Sequence, residues 1–357
     1  MLASGALAHG GITLFSSPAP RFAETEERGI AIMGKIRVAI NGYGNLGRGV
    51  EKALAHAEDM ELLAVFTRRA PETVVTAGAP VVALRELPSW VGKIDVVINC
   101  GGSATDLETQ TPQVAEHFNV VDSFDNHAHI PAHFAAVDAT AKEHGTLALI
   151  SSGWDPGFFS LQRAYGLAFL PAGETYTFWG PGLSQGHSDA VRRISGVKHA
   201  VQYTLPVEEN MQRILAGEKL ELSTAEKHRR QVFVVLEEGA DADAVREAIV
   251  TMPDYFAPYE TEVNFISEAE FARDHTGMPH GGHVIRIGET TPGTTQVVHG
   301  ELKLDSNPEF TGSVLAASAR AVARMAAAGA TGAITLFDVP PAQLVAADPA
   351  ELRQHWL

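Results

Sequence analysis

Cysteine is almost absent: Cys100 stands alone in 357 residues. That excludes an intramolecular disulfide framework and a cysteine-based zinc cluster, and it fits a reducing compartment. Basic residues are also scarce, with 27 Lys and Arg against 43 Asp and Glu for a formal charge of −16. Neutralising a phosphate backbone needs the opposite balance, which excludes a nucleic-acid binder. No apolar run approaches the ~18 residues of a membrane helix. What remains is ordinary for a globular chain, with 45% hydrophobic residues. The length allows two domains, each with a core of its own. The expectation is a soluble, acidic, cytoplasmic protein.

Residues 1–32 carry Ala, Gly, Ser and Pro without a period, and Gly10-Gly11 interrupts their apolar stretch. They lack the basic start of a signal peptide and read as a disordered leader. From Ile36 the pattern turns β-α-β. A β-branched run, Ile36–Ile40, leads into a glycine-rich turn, and Leu46–His56 then carries apolar residues at helical spacing. Met60–Phe66, Ile94–Cys100, Val120-Val121 and Leu147–Ile150 read as further strands, separated by helical stretches near Thr111–His117 and Ala132–His144. Buried strands alternating with helices predict a parallel sheet covered on both faces.

The turn reads Gly42-Tyr43-Gly44-Asn45-Leu46-Gly47, a G-x-G-x-x-G between a strand and a helix. Gly42 allows the tight turn, Gly44 lets backbone approach a pyrophosphate, and Gly47 permits close helix–strand packing. The helix N-terminus favours the anion. An NAD site places an acid about 20 residues further on, to bond the ribose 2′-hydroxyl. Here the second strand ends in Thr67-Arg68-Arg69 instead, and two guanidinium groups suit a 2′-phosphate, so NADP is expected. The third strand ends in Cys100-Gly101-Gly102-Ser103-Ala104-Thr105, small residues past which a cofactor can run. Cys100 itself reads as a small buried apolar residue.

After Ser151 the texture changes to long Gly- and Pro-bearing loops between strand-like runs at Thr175–Trp179, Val201–Leu205, Arg230–Leu236, Thr261–Ile266, His283–Ile287 and Thr294–Leu304. That predicts an α+β domain built on an open, mostly antiparallel sheet with few helices. Thr311–Ala328 reads as an Ala-rich helix and Gly332–Val339 as a final strand returning to the first domain. The expected division is residues 1–32 as leader, 33–151 with 303–357 as the dinucleotide-binding domain, and 152–302 as the substrate-binding and dimerisation domain. The fold class is thus α/β, a Rossmann-type domain joined to an α+β one. His275, His280 and His283 lie within nine residues, but no helix sets them on one face, and no metal is expected.

With these residues in view, the chain resembles the meso-diaminopimelate D-dehydrogenases from about Ile36 to Phe337. The likeness is carried by Gly42–Gly47, Thr67–Arg69, Gly102–Asp106, Asp125-Asn126-His127, Gly153-Trp154-Asp155-Pro156-Gly157, Phe178–Asp189, Gln202–Pro206, His275–His283 and Leu302–Phe310. Phe158 stands where related sequences often have Met, a change of local packing only. The resemblance implies an NADP-dependent homodimer that oxidatively deaminates the D-centre of meso-2,6-diaminopimelate to L-2-amino-6-oxopimelate and ammonia, or runs the reverse. It implies catalytic and substrate-binding roles for Asp125 and Asp155 near the D-centre, with Trp179 walling the pocket. Gln185, Thr204, Arg230, His280 and Asn307 would hold the distal L-centre. It places the cofactor against the fingerprint and Arg pair, Gly101–Ala104, Ser123, Phe124, Asp125 and Ser152–Pro156. No general base is singled out. Another Rossmann-type NADP reductase of amino-acid biosynthesis, or a non-catalytic NADP sensor, remains open on the sequence.

Overall fold

A computed structural model describes residues 34–357; the expected leader lies outside the described residues. The chain begins β1 (Ile36–Asn41), α1 (Asn45–Leu54), β2 (Met60–Thr67), β3 (Val81–Ala83), β4 (Val96–Asn99), α2 (Leu107–Ala115), β5 (Asn119–Asp122), α3 (Ile130–His144) and β6 (Leu147–Leu149). It continues through α4 (Phe158–Phe169), β7 (Gly173–Trp179), β8 (Gly182–Leu183), α5 (Gln185–Arg192), β9 (Val197–Pro206), α6 (Glu208–Leu215), α7 (Thr224–Lys227) and β10 (His228–Leu236). Then come α8 (Ala242–Val250), β11 (Thr261–Phe265), α9 (Glu268–Asp274), β12 (His280–Thr291), β13 (Thr294–Leu304), α10 (Asn307–Ala327) and β14 (Gly332–Ile334).

Three sheets result. The largest has seven parallel strands in the order β14-β6-β5-β4-β1-β2-β3. The period-2 alternation of its strands decides its two cores. Val38, Ile40, Val96, Ile98 and Val121 pack with α1 and α10 on one face, through Val50, Leu54, Leu315 and Val322. Ala39, Val97 and Val120 meet Val114, Val137 and Ala141 of α2 and α3 on the other. The helices α1 and α10 cross where Gly49 and Gly312 touch, and a Cβ on Gly312 would lie 2.4 Å from the Gly49 carbonyl carbon. Strand order reverses at β1, with β2 on one side and β4 on the other, so a crevice opens at their carboxyl ends.

The returning tail is as expected, since β14 pairs parallel with β6. It is shorter than the expected strand: Thr335 accepts a hydrogen bond from Phe337 N–H and starts a 3₁₀ turn, Leu336–Asp338. The second half also departs from one open sheet with few helices. It carries two sheets, β11-β10-β9-β8 and β13-β12-β7, and α5 to α9 lie between their strands. The β10–β11 pair is parallel; the other pairs of the two sheets are antiparallel. The helices escaped a periodicity reading because each is short; α6 buries only Met211 and Ile214. The core splits accordingly, one cluster around Val232, Val234 and Phe256 and another around Phe178, Ile285 and Ile287.

Candidate active site

At the carboxyl ends of β1, β2 and β4 lies a cleft of about 320 Å³, lined by Gly42–Gly44, Thr67–Arg69 and Gly101-Gly102. The fingerprint glycines do distinct things. Gly42 has φ +97°, and a Cβ there would sit 3.3 Å from the Cys100 carbonyl. A Cβ on Gly47 would come within 2.3 Å of the Gly42 oxygen. Gly44 has nothing within 4 Å of its Cβ position, so its backbone is open to a ligand. Arg68 pairs with Asp106 at 2.8 Å, and Arg69 donates to the Tyr43 carbonyl at 2.6 Å. Arg48, which the sequence reading missed, stands over the Tyr43 ring and lines the same cleft. Burial and a bond to the buried Glu51 carboxyl push the Tyr43 hydroxyl up to about 12. Burial pushes the Cys100 thiol up as well, leaving a protonated wall residue. An open backbone cradle at a helix start, with three arginines beside it, fits a dinucleotide carrying an extra phosphate.

A second cavity, of about 370 Å³, lies at the strand ends of β5 and β6. Asn45 and Leu46 line it, as do Ser123, Asp125 and the Ser152–Pro156 segment. Its other wall comes from β8 and α5, with Gln185, His280 and Asn307. Asp125 is exposed, and its N–H donates to Ser103 Oγ at 3.0 Å. Asp155 has a side chain only 2% exposed. Its Oδ2 accepts from Arg163 at 2.6 Å and from the Trp179 indole at 2.7 Å, while its Oδ1 is buried without a partner. Asn307 Oδ1 accepts from the Trp154 indole at 2.9 Å, and the His280 ring lies 4.8 Å from that of Trp154. Burial lowers the His280 pKa, and its Nδ1 accepts the Gly281 N–H at 2.8 Å.

Several expected residues sit elsewhere. Arg230 and Thr204 face each other across β10 and β9, the second and first strands behind β8, and do not line the cavity. Arg230 is buried; it donates to Thr204 and stacks on the Tyr259 ring at 3.8 Å, and its Nε has no partner. No carboxylate pairs with it among the described residues. Its charge and their own burial push both His228 and His187 down to about 4, burial being the larger cause. Phe124 cannot offer its ring to a cofactor: it is fully buried and stacked on His133, because the even face of that turn packs inward. Ser103 and Ala104 stand outside both lining sets, and Asp189 pairs with Arg192 on the exposed face of α5. The three histidines part ways, His275 to Tyr203, His280 to the cavity and His283 to His299. Arg163 was not foreseen, since it belongs to no local motif, and Met278, within the His275–His283 stretch, was given no role; its Sδ lies 3.3 Å from Gln185 Nε2.

Such a sheet, with a phosphate-binding turn and a polar cavity at its strand ends, defines a Rossmann-type NADP-dependent dehydrogenase. A family model described as the diaminopimelic acid dehydrogenase C-terminal domain matches residues 153–306, and the meso-diaminopimelate D-dehydrogenase of Lysinibacillus sphaericus is 58% identical over 326 residues, 91% of this chain and 100% of the relative. The chain belongs to the meso-diaminopimelate D-dehydrogenase family. Among solved structures, the Corynebacterium glutamicum DAP dehydrogenase in complex with DAP matches with a TM-score of 0.85 and 47% identity, covering 91% of this chain and all of that one. An engineered D-amino acid dehydrogenase bound to NADP⁺ matches with a TM-score of 0.80 and 46% identity, covering 90% of this chain and all of that one.

Proposed function

We propose that the protein is an NADP-dependent dehydrogenase of meso-2,6-diaminopimelate, releasing ammonia from the D-centre to leave L-2-amino-6-oxopimelate, and running the reverse amination. The observation that carries the substrate reading is a pair of buried ionic groups with an unfilled bond each, Asp155 being paired with Arg163 through Oδ2 alone. Asp155 holds a buried oxygen with no donor, and Arg230 is a buried guanidinium with no carboxylate. Buried charges left this way are costly unless a ligand completes them. A diacid with two amines supplies an ammonium for one and a carboxylate for the other.

The roles follow from position. Gly42–Gly47 with Arg48, Arg68 and Arg69 hold the dinucleotide, which when bound supplies the hydride acceptor. Asp155, fixed by Arg163 and Trp179, holds the D-centre ammonium together with Asp125. Trp179 orients the Cα–H, and closeness replaces a bimolecular encounter. The ammonium must first lose a proton to water; as the Cα–H then leaves as hydride, the freed amine lone pair makes the iminium. Water adds to its carbon and ammonia departs, with Asp125 or Asp155 taking up protons through water. Gln185, His280 and Asn307 hold the distal end, with Thr204 and Arg230 as its further partners. Residues 33–151 with 303–357 form the dinucleotide-binding unit and 152–302 the substrate and dimerisation unit. The 153–306 bounds of the family model support that division. The active form is a cytoplasmic homodimer. Supporting it, Tyr165, Leu167 and Phe169 of α4 are exposed apolar side chains, and most of the edge strand β13 is uncovered. No helix among the described residues is long and apolar enough to cross a membrane.

The test is NADPH formation with purified diaminopimelate stereoisomers. The meso form is turned over and the LL form, lacking a D-centre, is not. Cofactor binding without turnover of the meso form would favour a sensor instead.

A further inference from the structure

The two segments that bring Asp125 and Asp155 into the cavity leave different strands, β5 and β6, and nothing in the mechanism so far fixes one against the other. A single buried residue does. Asp122 closes β5, and its side chain is fully buried, as is that of His133 from α3. Asp122 Oδ1 accepts from the Phe124 N–H at 3.0 Å and from the Ser151 N–H at 2.8 Å, one on each segment. Its backbone oxygen accepts the Ser152 N–H at 2.9 Å. Oδ2 accepts from Thr111 Oγ at 2.8 Å and lies 2.7 Å from His133 Nε2. The carboxylate makes His133 Nε2 the donor, while Nδ1 is buried without a partner. The ring of His133 also forms the floor under Phe124, 4.2 Å away at 25°. Ser151 has φ 54°, a left-handed conformation that a serine holds only where its surroundings over-determine it.

The network extends past the pair. Thr111 accepts from Asn99 at 3.2 Å, and Asn99 accepts from Asn41 at 2.9 Å, so the polar chain reaches the residue before Gly42. Neither Asp122 nor His133 lines either cavity, and neither can touch substrate. A buried carboxylate met by four donors is rigid, and the atoms it holds are the backbone roots of the two site segments.

We propose that the Asp122–His133 pair is a positioning device for deamination. It locks the Ser123–Asp125 and Ser151–Asp155 segments in register, so that both carboxylates meet one amine with its Cα–H aimed at the cofactor. The inference rests on the reading above that Asp125 and Asp155 hold the reacting centre. Its consequence is a loss in the chemical step more than in affinity, because a misplacement of the order of 1 Å can lower a rate up to about 100-fold.

The variant His133→Phe keeps a ring beneath Phe124 and removes the donor to Asp122. We expect kcat on meso-diaminopimelate to fall at least tenfold, on the order that misplacement implies, with KM and NADPH affinity little changed. The primary deuterium isotope effect, measured with substrate deuterated at the D-centre Cα, should rise as hydride transfer becomes slower. His133→Gln, whose amide N–H can reach the same carboxylate oxygen, should recover most of the loss. Should His133→Phe fail to fold, Thr111→Val removes the other Oδ2 donor at equal volume and should shift kcat and the isotope effect the same way, by less. Wild-type kcat in a folded variant, or a loss that tracks melting temperature and NADPH affinity with an unchanged isotope effect, overturns the positioning role. A wild-type protein inactive on meso-diaminopimelate overturns the function itself, which the parallel wild-type assay identifies separately.

Discussion

The cofactor cleft and the substrate cavity lie side by side at the ends of one sheet, yet they are built from different material. The cleft is built around backbone: a turn of three glycines, a helix start and two strand ends, all from the stretch between Asn41 and Gln110. The cavity depends on side chains gathered from segments as distant as Asn45 and Thr311. Backbone sites tolerate no added volume but little depends on any one polar atom. Side-chain sites tolerate small changes of volume but depend on each charge finding its partner.

Adding bulk to the cleft is the harshest way to probe that contrast. Gly47→Val should abolish NADPH binding and lower the melting temperature by many degrees, because its Cβ would stand 2.3 Å from a carbonyl oxygen that cannot move without opening the turn. Calorimetry with and without NADPH reads both effects. A variant that still binds would mean the turn is not the phosphate cradle.

Removing charge from the cavity should be selective where bulk in the cleft is destructive. Arg230→Met keeps the apolar stem and should lower kcat/KM on meso-diaminopimelate by roughly 100-fold, the scale of one or two lost charge-assisted bonds. Activity on D-leucine or D-norleucine should rise, since an apolar side chain no longer leaves a buried guanidinium unpaired. Full meso-diaminopimelate activity in this variant would remove Arg230 from recognition.

The cleft has side chains too, and its Arg68–Arg69 pair sharpens the comparison. Arg68→Ala with Arg69→Ala should weaken NADP by roughly 10- to 100-fold and leave NAD nearly unchanged, as expected for lost bonds to a 2′-phosphate. Equal losses for both cofactors in steady-state kinetics would assign the pair to the fold, through the Asp106 and Tyr43 contacts.

The smallest effect is one of pH on the cavity side. His228 is held at about 4 by burial and then by Arg230, against an ordinary value near 6.5. Between those values the unfolded chain takes up a proton that the folded protein refuses. Stability therefore falls as the pH drops from about 6.5 toward 4, by roughly 2 kcal/mol for this group between pH 7 and 5. Melting temperatures across that range should fall less steeply in His228→Asn. An unchanged slope would mean that His228 is not the group responsible.

The same contrast explains what could be read in advance. Arg68 and Arg69 were legible because a strand end and a glycine turn are local patterns with a known geometry. Asp125 and Asp155 could be placed at the crevice because each follows a buried strand. Arg163 was not legible, since only the turn of α4 against β7 brings it to Asp155. Phe124 was read as part of the cofactor wall, yet α3 packs His133 beneath it and draws the ring inward.

Local sequence by itself determined the parallel sheet, its phosphate-binding turn and the preference for a phosphorylated ribose. Strand alternation, positive φ and charge sign are properties of neighbouring residues. Tertiary structure alone decided that the second half forms two sheets, that Arg230 lies two strands behind β8, and that Asp122 ties two strand ends together. Those outcomes depend on which distant surfaces bury each other, and no local period encodes that choice.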